Sequence, residues 1–139
     1  MFLFDSNIIR HLAEGNENLA KHIRKHDLTE YALPSVVVAE IIKGRADFVL
    51  KATPEQSVIA HKYFIQTLEL VNTFQILVFD EKSAEILKTL KSRFSDKKRY
   101  ADLMIASIVL GGNHILITRN TKHFDDVLPK NQLQNWIDK

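Results

Sequence analysis

The chain has 139 residues, of which 45% are hydrophobic, so it can bury a core of globular size. It contains no cysteine, which excludes disulfide scaffolds and thiolate metal sites, and no apolar run long enough to cross a membrane. The formal net charge of +2 suggests a polyanionic partner only weakly. The length predicts a single domain over residues 1–139. Because no basic and apolar signal segment is present at the start, we expect a cytoplasmic protein.

Short apolar runs alternate with longer helical patterns along the chain. The apolar runs, each predicted to form a strand, cover residues 2–4, 31–33, 75–79 and 114–118. The helical patterns between them cover residues 8–13, 19–24, 35–42, 53–71, 80–90 and 100–110, although the valines at 36–38 also suit a strand. Residues 133–137 are apolar and fit either class. This alternation predicts an α/β domain with a mostly parallel sheet.

The helix that starts near residue 53 carries the clearest local signal. Thr53 is a suitable N-cap, Pro54 suits the first helical position, and Gln56 would complete a capping box. This helix is expected to bury its large apolar side chains, which are Ile59, Tyr63, Phe64, Leu68 and Val71. Further along, Asp80 is expected to cap the next helix.

Three acidic residues lie where the apolar pattern does not favour a charge. Asp5 directly follows the first strand, Glu40 interrupts the run VVVAEII, and Asp102 interrupts the run YADLMIAS. A carboxylate beside a buried face is unfavourable unless it is paired, hydrogen-bonded or bound to a cation. No HExxH pair and no phosphate-binding glycine motif is present. The acids therefore favour an oxygen-ligated ion such as Mg²⁺, which would reverse the repulsion among them.

Each acid also has an ordinary structural explanation. Asp5 or Ser6 can be the N-cap of the first helix, and Asp102 lies near a helix start, where it can cap the helix or interact with the helix dipole. Glu40 has no capping role in the middle of a helix, although it can pair with a nearby basic residue. Taken together, the acids favour a metal site, with Ser6 or Asn7 then capping the first helix.

Four segments resemble the motifs of the PIN-domain nucleases, and most closely the VapC-type toxins of bacterial toxin–antitoxin pairs. The segments are FLFDSNII around Asp5, SVVVAEIIKG around Glu40, YADLMIAS around Asp102 and LITRNTKHF around Asn120, in the family's order. The resemblance implies a three-layer α/β/α sandwich with a mostly parallel central sheet. It also implies that the three acids bind Mg²⁺ or Mn²⁺, and that Asn120 is the fourth polar position, for which Asp125 is the alternative.

The resemblance further implies an activity and partners. The protein would be a metal-dependent endoribonuclease that forms a homodimer and is inhibited by a separate VapB-like antitoxin. The residues expected to contact the RNA substrate are Lys98, Arg99, Thr118 and Arg119. The chain departs from the family pattern in two places: Ser6 replaces the more frequent Thr, and the loop SDKKRY replaces a Gly-containing stretch.

The sequence leaves two other functions open. Asp80 ends the segment QILVFD much as a phosphorylated Asp ends a strand in a receiver-type phosphoacceptor module. However, the paired acids usual after the first strand of such a module are missing, because Ser6 follows Asp5. The second alternative is a non-catalytic PIN-like module that binds RNA or protein. Such a module would not need the three acids, so their presence favours the nuclease.

Overall fold

The structure is a computed structural model that describes all residues 1–139. Five parallel strands form one sheet, and they are β1 (Phe2–Phe4), β2 (Tyr31–Pro34), β3 (Gln75–Leu77), β4 (Ile115–Ile117) and β5 (Leu133–Gln134). The α-helices are α1 (Ser6–Ala13), α2 (Glu17–Ile23), α3 (Ser35–Lys51), α4 (Pro54–Val71), α5 (Glu81–Arg93) and α6 (Tyr100–Gly111). No helix has both the length and the apolar character that crossing a membrane requires.

β1 lies in the middle of the sheet, whose strand order is β3-β2-β1-β4-β5. The chain builds outward from β1 to β3 on one side, and α5 and α6 then carry it back to β4 on the other side of β1. The strand order therefore reverses between β1 and β4. In open parallel sheets a ligand crevice forms at the carboxyl ends of the strands at such a point, so the residues that follow β1 and β4 are placed for binding.

The sheet separates two apolar cores, because alternate residues of each strand point to opposite faces. Leu3 and Leu116 pair in register and lie in one core with residues of α3, α5 and α6. Phe4 and Ile117 also pair and lie in the other core with residues of α1 and α2 and with Val71 at the end of α4. This arrangement of helices on both faces of a parallel sheet confirms the predicted α/β/α fold class.

The final apolar segment, which the sequence pattern leaves unassigned, begins as the edge strand β5. β5 pairs in parallel with β4, and Trp136 beyond it is only 3% exposed. The Trp136 ring lies 5.0 Å from the ring of Phe2 and 6.1 Å from the ring of Phe4, measured between centroids. The segment therefore closes one face of the sheet with an aromatic cluster.

The face that α4 buries agrees only in part with the predicted one. Val71 is buried as predicted, together with Ala60 and Thr67. Of the other predicted residues, Phe64 and Leu68 are half-buried, and Ile59 and Tyr63 are 37% and 38% exposed. The helix packs chiefly against α3 rather than on the sheet. Small residues are enough for this close helix–helix contact, so the larger apolar side chains remain partly outside it.

The two predicted helix starts have different outcomes. Thr53 is the N-cap of α4 and Pro54 is its first residue, but the Thr53 side chain makes no capping hydrogen bond. The predicted capping box with Gln56 is therefore wrong. Asp80 does cap α5, because its Oδ1 accepts a hydrogen bond from the backbone N–H of Ser83 at 2.8 Å.

The substitution Leu116→Ala tests the packing of the sheet. Leu116 is fully buried in β4, so its truncation leaves a cavity in one core. We expect the free energy of unfolding to fall by about 2–5 kcal/mol, as measured by urea denaturation.

The matched control is Leu50→Ala in α3, where the side chain is 82% exposed. Here the free energy of unfolding should change by less than about 0.5 kcal/mol. Equal losses in the two variants would contradict the described core.

Candidate active site

Asp5 lies at the carboxyl end of β1 and is only 7% exposed. Its backbone N–H donates to the carbonyl of Ile117 at 3.1 Å, which extends the pairing of β1 with β4. Its Oδ1 accepts from the backbone N–H of Ser6 at 2.8 Å, so Asp5 is the N-cap of α1. The prediction that Ser6 or Asn7 caps this helix is wrong, because Asp5 is the only residue between β1 and α1.

A hydrogen-bond network joins Asp5 to the end of β4. Asp5 Oδ2 accepts from Thr118 Oγ1 at 2.8 Å and from Asn7 Nδ2 at 3.2 Å. Asn7 Nδ2 also lies 3.1 Å from Thr118 Oγ1, and Asn7 Oδ1 accepts from the backbone N–H of Arg119 at 3.0 Å. The network fixes the Asp5 carboxylate relative to the first residues after β4.

Thr118 occupies a different place from the one expected of a residue that contacts substrate. Its side chain has 0% exposure, so it cannot reach a molecule bound in a cleft. Its hydroxyl donates to Asp5 Oδ2 and accepts from the backbone N–H of Asn120 at 3.0 Å. These contacts make Thr118 a positioning residue for Asp5, and this role replaces the predicted substrate contact.

A cleft of about 710 Å³ opens at this edge of the sheet, and we call it the acidic cleft. The structure brings together in its lining Asp5, Glu40, Asp102 and Asn120, the four residues singled out in the sequence. Glu40 comes from the second turn of α3, and Asp102 comes from the first turn of α6. Asn120 follows β4 and is exposed. Two helices on the same face of the sheet, together with the end of β1, therefore contribute acids to one cleft.

The acids in the cleft are held under mutual repulsion. Partial loss of water around Glu40 raises the pKa of its carboxyl, and the charges of Asp5 and Asp102 raise it further. Desolvation is also the main reason that the pKa of Asp102 is raised, with Asp5 adding to it. His123, whose Nδ1 lies 3.6 Å from Asp102 Oδ2, offsets part of this shift. A bound cation would relieve the repulsion.

The donor set of the cleft suits a divalent metal ion that prefers oxygen. No group of at least three His, Cys, Asp or Glu side chains is arranged to hold a metal ion by itself. Mg²⁺ does not require such a cage, because it keeps several waters and is commonly bound by one or two carboxylates together with substrate phosphates. Asp5 already accepts hydrogen bonds from Ser6, Asn7 and Thr118, which leaves about one of its roughly four acceptor positions free.

Among the basic residues expected to contact substrate, only Lys98 lines the acidic cleft. Arg99 forms a bidentate ion pair with Asp126, with nitrogen–oxygen distances of 2.9 and 2.8 Å. The guanidinium of Arg119 contacts the Asp138 carboxylate at 3.2 and 3.3 Å. Both arginines are therefore engaged by acids, and Lys98 is the candidate that the geometry favours.

The model of the PIN domain family matches residues 2–127, a range that contains all four residues of the cleft named above. The chain belongs to the PIN domain family. PIN nucleases generally use divalent metal ions, which agrees with the oxygen donors of the cleft. No curated protein matches the chain significantly.

Chains of several solved structures share the fold of this PIN domain. A chain of FitAcB from Neisseria gonorrhoeae is 25% identical, with a TM-score of 0.67, and the match covers 89% of this chain and 91% of that one. A chain of VapBC-1 from nontypeable Haemophilus influenzae is 23% identical, with a TM-score of 0.72 and 97% of each chain covered. A chain of a toxin–antitoxin complex from Klebsiella pneumoniae is 20% identical, with a TM-score of 0.70 and 98% of each chain covered.

Two other acids discussed above lie away from the acidic cleft of the PIN domain. Asp80 caps α5, and its carboxylate accepts from the backbone N–H and the hydroxyl of Ser83, both at 2.8 Å. Asp125 is exposed and does not line the cleft, whereas Asn120 does. Asp80, the residue that a receiver-type module would phosphorylate, is therefore the N-cap of α5 in this structure. Of the two candidates for the fourth polar residue, only Asn120 lines the cleft.

Three polar residues of this region were missed by reasoning from the sequence. Asn7 belongs to the hydrogen-bond network, and Arg10 and Arg45 line the cleft. Helical spacing carried a signal for the arginines, because Arg10 lies one turn beyond Ser6 on α1 and Arg45 lies one turn beyond Ile41 on α3. Residues of one helix face project toward the same surface, so these positions belonged with the site.

The substitution Asp102→Asn tests whether the pKa of the Asp102 carboxyl is raised in the folded protein. The pKa of Asp102 is raised above its ordinary value of 3.8, so its carboxyl favours folding below that pH, and this contribution is lost as the pH rises through the folded-state pKa. The amide that replaces the carboxyl does not titrate, so the variant does not lose stability in this way as the pH rises. We expect its free energy of unfolding, relative to the wild type in EDTA, to increase between about pH 4 and about pH 7 in urea titrations.

The matched variant is Asp126→Asn, for which the pKa of the wild-type carboxyl is lowered rather than raised, so the stability change with pH has the opposite sign. Its hydrogen bonds with Arg99 lower the pKa of Asp126, so the wild type gains stability as the pH rises and the variant does not. The relative stability of Asp126→Asn should therefore decrease as the pH rises toward about 4, below the range in which that of Asp102→Asn increases. A flat or falling curve for Asp102→Asn would contradict the described electrostatics.

Proposed function

We propose that this PIN domain is a metal-dependent endoribonuclease of the VapC type and the toxin of a toxin–antitoxin pair. The observation that carries the proposal is the convergence of Asp5, Glu40 and Asp102 on one cleft at the point where the strand order reverses. The family match and the shared fold with a chain of a toxin–antitoxin complex support it. The acids, rather than the fold alone, argue against a module that only binds.

Asp5, Asp102 and Glu40 would hold the ion, which we propose to be Mg²⁺ or Mn²⁺. When bound, such an ion activates water and stabilises the charge that develops on a phosphate during in-line attack. Asp5 is oriented by its three hydrogen-bond donors, so its geometry is set before any ligand binds. Glu40 opens toward the cleft, so its carboxylate can bind the ion directly or through a water molecule.

Two further residues of the cleft would act on the RNA itself. The Lys98 side chain forms no ion pair within the protein and can therefore neutralise a phosphate of the substrate. Asn120 presents a neutral amide that can accept from water or donate to a phosphate oxygen. We assign no direct contact to Arg99 or Arg119, since each is paired with an acid.

The biological setting forms part of the same proposal. A VapB-like antitoxin would inhibit the enzyme by covering the acidic cleft, and the active form would be a homodimer in the cytoplasm. The support for an antitoxin is the structural similarity to a chain of VapBC-1 and to a chain of a toxin–antitoxin complex. We further propose that residues 1–139 act as a single domain.

The substitutions Asp5→Asn and Asp102→Asn test the assigned chemistry. Each removes a proposed metal ligand and relieves repulsion, so the fold should survive while cleavage of labelled RNA with Mg²⁺ falls by about 100-fold or more. Gel assays of initial rates, beside circular dichroism spectra, measure both effects. EDTA should abolish cleavage by the wild type.

Asp125→Asn is the matched control, because it removes an acid of the same region that does not line the cleft. It should cleave RNA at the wild-type rate. Wild-type rates in Asp5→Asn or Asp102→Asn, after identical purification, would refute the nuclease assignment. RNA that binds equally with and without Mg²⁺ and is never cut would favour the non-catalytic module.

A further inference from the structure

The acidic cleft continues beyond the acids to two arginines that have no part in the proposed chemistry. Arg10 of α1 and Arg45 of α3 line the acidic cleft. A second cleft of about 420 Å³ shares both arginines and is also lined by Tyr63, Thr67 and other residues of α4. One groove therefore runs from the acids to the space between α1 and α4, with the arginines where its two parts meet. We call the second part the arginine groove.

Arg45 is held in a defined orientation. Its Nε donates to Thr67 Oγ1 at 3.2 Å, and Thr67 is only 9% exposed. Its guanidinium carbon also lies 5.1 Å from the centre of the Tyr63 ring, within the range of a cation–π contact. The terminal nitrogens of Arg45 make no hydrogen bond within the protein. These contacts fix the group and leave its outer donors available to a ligand.

Neither Arg10 nor Arg45 has an acidic partner. The ion pairs of the protein engage Arg99 and Arg119 but neither of the groove arginines. Glu14 also lines the arginine groove, but its nearest basic contact is His11 at 3.7 Å. Arg45 is half-buried without an acid, which is unfavourable until an anion binds to it, and the exposed Arg10 lines the same groove, so this part of the groove is suited to an anionic ligand.

The spacing along the helices places the arginines a short step from the acids. Arg45 follows Glu40 by five residues in α3, which corresponds to about 7.5 Å along the helix axis. Arg10 follows Asp5, the N-cap of α1, by five residues, which again corresponds to about 7.5 Å. These distances are comparable to the step between neighbouring phosphates of an extended nucleic-acid strand. A strand cut at the acids would bring its next phosphate to the arginines.

We propose that Arg10 and Arg45 bind a backbone phosphate of single-stranded RNA beside the phosphate that is cut. The arginine groove is then the path of the substrate strand away from the acids. This inference rests on the proposed function, because it takes the acids as the cleavage point. An acidic protein segment is the competing occupant. The continuity of the two clefts favours RNA, since a strand cut at the acids must leave along a connected surface.

The salt dependence of RNA binding tests the proposal. Binding of a short fluorescein-labelled oligouridylate is followed by anisotropy in EDTA, so that binding is measured apart from metal-dependent cutting. For single strands, each lost phosphate contact reduces the slope of log K against log salt by about 0.7. Because both arginines bind the same phosphate, we expect the full reduction of about 0.7 for the double variant Arg10→Gln/Arg45→Gln and part of it for Arg45→Gln alone.

Three control variants separate a direct contact from a structural effect. Arg24→Gln removes an exposed arginine at the end of α2 that lines neither cleft, and its slope should match the wild type. Arg45→Lys keeps the charge and should restore most of the slope. Thr67→Val removes the acceptor for Arg45 Nε, so it should weaken binding with little change in slope. Thermal unfolding checks that each variant folds.

Cleavage of the same RNA with Mg²⁺, measured in parallel, distinguishes this proposal from the proposed function. If the wild type cleaves and the double variant keeps the wild-type slope, the phosphate site is refuted while the nuclease stands, and the groove belongs to a protein partner. If the wild type does not cleave but the slope falls as expected, the nuclease is refuted and the phosphate site stands. Absence of RNA binding by the wild type overturns both.

Discussion

The Asp5 carboxylate can lie nearly enclosed at the carboxyl end of the central strand because hydrogen-bond donors of Ser6, Asn7 and Thr118 meet it there. An ionised group with so little water would be strongly unfavourable without them. These contacts also set the rest of the site. They start α1 directly after β1, which directs Arg10 into the cleft, and they tie the loop after β4 to the same point. A single buried charge thus organises both ends of the groove.

Charge varies along the groove, with acids at one end and unpaired arginines where the acidic cleft meets the arginine groove. The acids raise one another's proton affinity and so favour a cation, whereas the arginines favour an anion. A metal ion together with a phosphodiester backbone satisfies both demands in one ligand. Arg99 and Arg119, by contrast, are each paired with an acid.

Features governed by local pattern could be predicted from the sequence, and features governed by distant partners could not. Apolar runs predict the strands, and acids in apolar settings single out Asp5, Glu40 and Asp102. Strand order is set by packing between segments far apart in the chain, so it was not predictable. The engagement of Arg99 and Arg119 by acids 27 and 19 residues further along was hidden for the same reason. The apolar stripe of α4 was only partly informative, because Val71 is buried as predicted whereas Ile59 and Tyr63 are exposed. The smaller residues Ala60 and Thr67 are buried instead.

The pairing of β1 with β4 has a consequence for the order in which the molecule is made. β1 is synthesised first, yet Phe2 pairs with Ile115, and the hydrogen bond from Thr118 to Asp5 spans 113 residues. Contacts of such sequence separation form late, because the chain between them must first be ordered. A growing chain on the ribosome therefore lacks the support of its central carboxylate until β4 has emerged. A protein with the proposed activity would therefore stay inactive until β4 has been synthesised and has paired with β1.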